Sequence, residues 1–151
     1  MSVFVVTAND TLTLNGHVMV NQGTDDVTTI SFPNELVSRK TGKNGNTLFA
    51  QNANGLNADL SLRLIRGSTD DQFMQGILNS IPADFPSAVL INGSFVKRLG
   101  NGLGGIVNDT YALSGGLIAK QVDGKENVSG DVSQGEVVYT VKFANVSRNI
   151  G

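Results

Sequence analysis

Cysteine and tryptophan are absent from this chain of 151 residues, proline occurs three times, and aromatic residues make up only 6% of the sequence. Without cysteine the chain can have no disulfide, no thiolate metal ligand and no thiol nucleophile. Charged residues amount to 16%, and the formal net charge is -2. Such a charge offers no basic field to attract the phosphates of a nucleic acid.

Long apolar runs are missing as well. No segment approaches the ~18 apolar residues of a membrane span, and the first residues do not form a secretory signal. We therefore expect a soluble protein that is made in the cytoplasm. Its 40% hydrophobic content is enough for a core, and its length fits one domain spanning 1–151.

Alternation of apolar and polar residues is the main local signal, and it predicts a mainly β fold rather than a helical bundle. The first strand is predicted to place Leu12, Leu14, Val18 and Val20 on an apolar face and Thr11, Thr13, Asn15 and His17 on a polar face. A second strand at 27–32 follows a turn at 23–26, ends at Pro33, and is predicted to pair with the first as a hairpin.

The middle of the chain combines a polar segment with the clearest strand. The pattern dissolves at 34–54, where basic residues stand among glycine and asparagine, so we predict a long functional loop. Alternation then returns, with Leu56, Ala58, Leu60, Leu62 and Leu64 predicted to face inward and Asn57, Asp59, Ser61 and Arg63 outward.

One α-helix is predicted at about 69–81. Ser68 or Thr69 can cap it, Asp70 and Asp71 suit the positive end of its dipole, and Pro82 ends it. Its apolar stripe comprises Phe73, Met74, Ile77, Leu78 and Ile81. Three further strands are predicted at 88–99, at 106–122 with a bend at Gly115-Gly116, and at 136–146 with Val137, Tyr139, Val141 and Phe143 on one face.

No arrangement of residues predicts catalysis, a cofactor or a metal. Gly100, Gly102 and Gly105 match GxGxxG, but the next segment is strand-like, which predicts a hairpin rather than a dinucleotide site. His17 is the single histidine and lies mid-strand, where we expect it to be exposed or in an interface. The pairs Asp25-Asp26 and Asp70-Asp71 have no calcium-loop spacing, and a helix start accounts for the second.

Three segments resemble the inner tail tube proteins of contractile-tailed bacteriophages. They are LRLIRGSTDDQFMQGIL at 62–78, GKNGNTLFAQNANG at 42–55 and VVYTVKFANVSRNIG at 137–151. The resemblance implies the fold of the type VI secretion tube protein Hcp, with two antiparallel sheets packed as a small sandwich or barrel beside one helix. It also implies hexameric rings that stack into a hollow tube, through which genome DNA passes without specific binding.

Partners, location and site residues follow from the same resemblance. It implies contact with sheath, baseplate and terminator proteins in the virion tail, and synthesis in the host bacterial cytoplasm. The loop residues Glu35, Arg39, Lys40 and Lys43 are the candidate ring-stacking contact. The face formed by Asn57, Asp59, Ser61 and Arg63 is the candidate lumen surface.

Two alternatives stay open. One is another ring component of the virion, such as a tail terminator or a capsid-decorating protein. The other is a ligand-binding β-sandwich, although few exposed aromatic platforms for a glycan are to be expected from a chain without tryptophan.

Overall fold

Nine β-strands and one α-helix form the regular structure of the computed structural model, which describes residues 2–24, 26–81 and 83–151. The strands are β1 (Val5–Leu14), β2 (His17–Val18), β3 (Thr28–Ser31), β4 (Val37–Thr41), β5 (Thr47–Gln51), β6 (Ala58–Ile65), β7 (Ile91–Gly100), β8 (Ile106–Ile118) and β9 (Glu136–Ile150). The helix α1 spans Thr69–Ser80, and short 3-10 turns lie at Phe85–Ser87 and Val132–Gly135.

The strands form two antiparallel sheets, which confirms the mainly β fold class. The larger sheet has seven strands in the order β2-β1-β7-β8-β9-β6-β3, and its two edge strands do not pair with each other. The sheet is therefore open and not a closed barrel. The second sheet is the pair β4-β5, so it is a separate hairpin and not a second packed layer of a sandwich.

The core lies between one face of the seven-stranded sheet and α1. Alternation in β6 buries Ala58, Leu60, Leu62 and Leu64, and alternation in β9 buries Val137, Tyr139, Val141 and Phe143, as predicted. The helix contributes Met74 and Leu78 to the same cluster, while Phe73, Ile77 and Ile81 pack against it. Leu56 was predicted to face inward, but it precedes β6 and is exposed.

A tight turn at Asn15-Gly16 reverses the predicted face of Val18 and Val20. Asn15 and Gly16 have positive φ angles of 49° and 81°, so the chain folds back and β2 pairs with the end of β1. Leu12 and Leu14 are buried as expected, but beyond the turn Met19 points into the core and Val18 and Val20 are exposed. The prediction of one continuous strand over 11–20 is wrong, because the Asn15-Gly16 dipeptide, which is typical of a two-residue turn, divides it.

The predicted hairpin between the first two long strands does not exist. β3 pairs with β6, with Ile30 opposite Leu60, while the long partner of β1 is β7. Neighbours in sequence are therefore separated by almost the whole width of the sheet.

The helix begins as predicted at Ser68, whose hydroxyl accepts a hydrogen bond from the backbone N–H of Asp71 at 3.2 Å. The Asp71 carboxylate accepts from the backbone N–H of Gly67 at 2.8 Å. Pro82, the predicted end of the helix, lies outside the described residues. Within the described parts of the chain, no helix has the length and apolar character that crossing a membrane requires.

The predicted bend at Gly115 is present and extends to the neighbouring strand. Gly115 has φ 70°, and its N–H donates to the Asn92 side-chain oxygen at 3.0 Å. The register between β7 and β8 shifts at the same level, between Ile91 and Gly93. The GxGxxG segment is the turn between these two strands, as predicted.

Candidate assembly surfaces

The predicted loop at 34–54 is instead a projecting hairpin, which we call the arm (residues 37–51). Arg39 pairs with Phe49 and Lys40 with Leu48 across its two strands. A compact turn joins the strands, because the N–H of Gly42 donates to the carbonyl of Asn46 at 2.7 Å. The polar composition concealed two short strands whose pairing is local.

The base of the arm is closed by backbone hydrogen bonding. The N–H of Asn52 donates to the carbonyl of Leu36 at 2.9 Å, and the Asn34 side chain donates to the carbonyl of Asn54 at 3.3 Å. Every residue of the two strands is exposed. The arm is thus held in shape by its own backbone and not by burial against the core.

The proposed stacking residues occupy different parts of the arm. Arg39 and Lys40 lie on β4 and Lys43 lies in the turn, whereas Glu35 precedes the arm. Beside these cations stand Leu48 and Phe49, which are 66% and 65% exposed. The arm therefore has a surface that is both basic and apolar. The composition of the segment predicts only a polar loop.

The candidate lumen residues lie on the sheet face opposite the core, except Asn57, which precedes β6. Across three strands the rows read Ser31, Asp59 and Lys142, then Thr29, Ser61 and Thr140. Arg63 is half-buried beside Val138 on the same face. The face is polar over three adjacent strands, and its place in an assembly stays a prediction.

The seven-stranded sheet has two open edges. β3 lies at one edge, and at the other β2 pairs only with the last two residues of β1. The register of β1 with β7 shifts between Val6 and Asp10, so a bulge interrupts this second edge. Open strand edges are sites where another chain can add a strand.

The half-buried His17 pairs with the fully buried Asp70, a contact that was not predicted from the sequence. The Nε2 atom of His17 lies 2.7 Å from an Asp70 carboxylate oxygen, and the His17 ring stacks on Phe73 with centroids 4.2 Å apart. The other Asp70 oxygen accepts from the backbone N–H groups of Val20 and Asn21, both at 2.6 Å. The pair thus anchors α1 to β2 and to the segment after it. His17 is half-buried rather than exposed, and its expected place in an interface stays a prediction.

The pKa of Asp70 reflects this arrangement. Burial acts to raise it, but the hydrogen bonds from Asn21, His17 and Val20 together outweigh burial and hold the pKa below its ordinary value. Asp70 is fully buried, so it is much more than a favourable charge at a helix start. No local sequence signal identifies a partner that lies 53 residues away.

Tyr139 supplies a second polar anchor under the helix. Its hydroxyl donates to the Asp71 carboxylate at 2.6 Å and lies 3.2 Å from the Gln75 side-chain oxygen. Burial, together with the hydrogen bond to Asp71, raises the pKa of Tyr139. Asp70 and Asp71 therefore both hold the start of the helix against the sheet by hydrogen bonds.

A row of alternating charges crosses the part of the sheet that α1 does not cover. Asp10, Lys97 and Asp109 lie directly opposite one another on β1, β7 and β8. Arg148 on β9 donates two hydrogen bonds to Asp109, at 2.8 Å and 3.0 Å. The hydrogen bond to Asp109 raises the pKa of Arg148.

Metal chemistry finds no support in this geometry. In residues 2–24, 26–81 and 83–151, no group of three His, Asp or Glu side chains is arranged to hold a metal ion. Asp25 of the first acidic pair is outside the described residues.

Two solved structures resemble this fold over nearly the full length of both chains. The anti-feeding prophage cap, described as the tube terminating cap, gives a TM-score of 0.66 at 10% identity and covers 97% of this chain and 91% of that chain. The sheath/tube terminator of an extracellular contractile injection system, PVC, in its extended state gives a TM-score of 0.63 at 14% identity, with coverage of 94% and 94%. At these identities the likeness establishes a shared fold.

No protein-family model and no curated protein matches the chain. The resemblance to inner tail tube proteins thus has no sequence match behind it. The two similar solved structures are themselves described as a tube terminating cap and as a sheath/tube terminator.

Proposed function

We propose that this protein is a structural ring component that terminates the tube of a contractile, phage-like tail. The observation that carries the proposal is the similarity of fold to a tube terminating cap and a sheath/tube terminator across almost the whole chain. This favours the terminator alternative of the sequence analysis over the tube subunit. The protein then acts by binding copies of itself and other tail proteins, without catalysis or cofactor.

The surfaces of the molecule support an assembling role. A sheet with two open edges gains hydrogen bonds when neighbouring copies cover those edges. The arm also exposes apolar side chains to water, and contact with a neighbouring copy buries them. A ring in which each copy contacts the next through two different surfaces satisfies both features.

A tube subunit is the second candidate, and the polar sheet face favours it. This face combines Ser and Thr hydroxyl groups with charges of both signs (Asp59, Arg63 and Lys142), so it has no strongly basic field that would hold DNA in the lumen. In this candidate Asn57, Asp59, Ser61 and Arg63 line the lumen, hexameric rings stack, and the sheath surrounds them.

Electron microscopy of the purified protein tests the two candidates. Closed rings that do not elongate, even at high protein concentration, are expected for a terminator. Long tubes of stacked rings would instead identify a tube subunit. A strictly monomeric protein, measured by light scattering over the same concentrations, would contradict both.

A further inference from the structure

Both strands of the arm are exposed at every position, and the arm carries only positive charge. Arg39, Lys40 and Lys43 have no acidic neighbour within residues 37–51. Leu48 and Phe49 provide apolar contact area beside them. A surface of this kind fits a partner that offers carboxylates together with exposed apolar side chains.

The opposite end of the same chain offers that chemistry. The segments that precede β3 and β9 meet there, because the Thr24 hydroxyl and backbone N–H both lie within hydrogen-bonding distance of the Glu136 carboxylate, at 3.2 Å and 3.3 Å. The carboxylates of this end are Asp26, Asp123, Glu126, Asp131 and Glu136, against the cations Arg63, Arg66, Lys120 and Lys125. We call this end the acidic end.

Two of the cations at the acidic end, Arg66 and Lys120, already make contacts within the chain. Arg66 donates to the backbone carbonyls of Lys125 and Gln134, at 2.8 Å and 3.3 Å. Lys120 lies 3.7 Å from Asp123. Glu126 makes no ion pair among the described residues, and Val128 and Val132 nearby are 99% and 86% exposed. The Glu126 carboxylate and the exposed valines of the acidic end therefore complement the cations and the apolar side chains of the arm.

The two surfaces are too far apart to meet within one molecule. The arm adjoins the Ala58 end of β6, and the acidic end adjoins Ile65 at the other end of that strand. Eight residues of extended chain separate them by roughly 25 Å. Matched surfaces at opposite ends of one chain join copies head to tail.

We propose that the arm of one copy docks on the acidic end of a second copy. The contact pairs the arm cations with the carboxylates of residues 119–136 and covers Leu48 and Phe49 with Val128 and Val132. This inference rests on the proposed function, because it names the partner surface that a ring or stacked assembly uses. It assigns a role to the 119–136 loop, which the sequence analysis left without one.

Charge reversal tests the contact. One variant reverses two charges of the arm (Lys40→Glu with Lys43→Glu). A second reverses two charges of the acidic end (Asp123→Lys with Glu126→Lys). A third chain carries all four substitutions, which restores opposite charges on the two surfaces. The matched control, Arg98→Glu, reverses one charge at an exposed position away from both surfaces and is compared with Lys40→Glu alone, which makes the same change in net charge.

Assembly is measured by light scattering and sedimentation at low salt, where exposed charges are least screened. We expect each two-substitution variant to need at least ten times the wild-type concentration to assemble. The four-substitution chain is expected to recover assembly to within a few-fold of wild type, and so is an equimolar mixture of the two single-surface variants. The control is expected to assemble like wild type.

The outcomes separate this inference from the proposed function. If both single-surface variants form rings at the wild-type concentration, the arm contact is wrong and the ring function stands. If they lose assembly but the four-substitution chain does not recover it, the arm binds another surface or another tail protein, and the inference is overturned. A wild-type chain that stays monomeric throughout would remove the ring function and this contact together.

Discussion

The seven-stranded sheet and the arm are made of similar antiparallel strands, yet they hold their shape by different means. In the sheet, β6 alternates buried and half-buried residues, and each inward leucine is removed from water. In the arm both strands are exposed on both faces. Burial at about 25 cal/mol per Å² of apolar surface stabilises the first, whereas only local pairing and a tight turn hold the second.

This difference separates stability from assembly within one chain. Changes in the sheet are expected to alter the free energy of unfolding. Changes in the arm are expected to alter association and leave folding nearly intact. Four experiments, given in order of the size of the expected effect, test whether stability and assembly depend on different parts of the chain.

The largest contrast is expected between Leu62→Asp and Leu48→Asp. Leu62 is fully buried, so a carboxylate there loses its water without gaining a partner, and we expect destabilisation of at least about 4 kcal/mol. Leu48 is 66% exposed, so the same substitution is expected to cost no more than about 0.5 kcal/mol. Urea unfolding monitored by circular dichroism measures both, and a stable, soluble Leu62→Asp chain would show that the core face is wrongly assigned.

A methyl group added at Gly93 is the second test. Its Cβ would overlap the Thr13 carbonyl oxygen of the neighbouring strand, so the substitution Gly93→Ala is expected to cost about 2–3 kcal/mol by forcing β1 and β7 apart. Gly124→Ala is the control, because no atom lies within 4 Å of its added Cβ. Equal melting temperatures for the two variants would argue against the close approach of these strands.

The Asp70 anchor predicts an acid-dependent loss of stability. Since the pKa of Asp70 is below its ordinary value of 3.8 in the folded chain, its ionised form contributes stability above that pH, and the contribution is lost as the pH falls through the lower folded-state pKa. Asp70→Asn is expected to cost about 1–3 kcal/mol at neutral pH and to flatten the acid decline. Exposed Asp84→Asn should change neither quantity, and an Asp70→Asn chain with the wild-type pH profile would rule out the anchor.

Removing the arm should have the smallest effect on stability. Because Leu36 and Asn52 are already joined by a backbone hydrogen bond, replacing residues 37–51 with Asn-Gly closes the chain at its base. We expect the free energy of unfolding to stay within about 0.5 kcal/mol and assembly to be lost. An unfolded product would mean that the arm is part of the folding unit after all.

Regular alternation and helix signals allowed much of the larger sheet to be predicted. In β6, and in β9 as far as Phe143, every second residue is apolar, because one face lies in the core while the other meets water. The helix start was predictable from Ser68 and the two aspartates, because capping is local. The face of Val18 was not predicted correctly, because a two-residue turn changes which side the following residues occupy.

Long-range pairing was the part that the sequence could not reveal. Nothing local in Val5–Leu14 indicates β7 as its partner, and nothing near His17 points to Asp70. The arm was missed because exposed strands carry no burial pattern. The two surfaces that we propose for assembly were therefore only half predicted: the basic side was noticed, and the acidic end was not.

The order of strands in the larger sheet also bears on how the chain folds. β1 is made before β7, which begins at Ile91, so all of β1 except its last two residues lacks a strand partner until then. Pairings between distant segments slow folding, because the loop between them must close before any contact forms. Phe4, Val5 and Val6, at the start of this strand, are exposed apolar residues that promote aggregation while the strand lacks its partner. Refolding is therefore expected to be most efficient after rapid dilution to a low protein concentration.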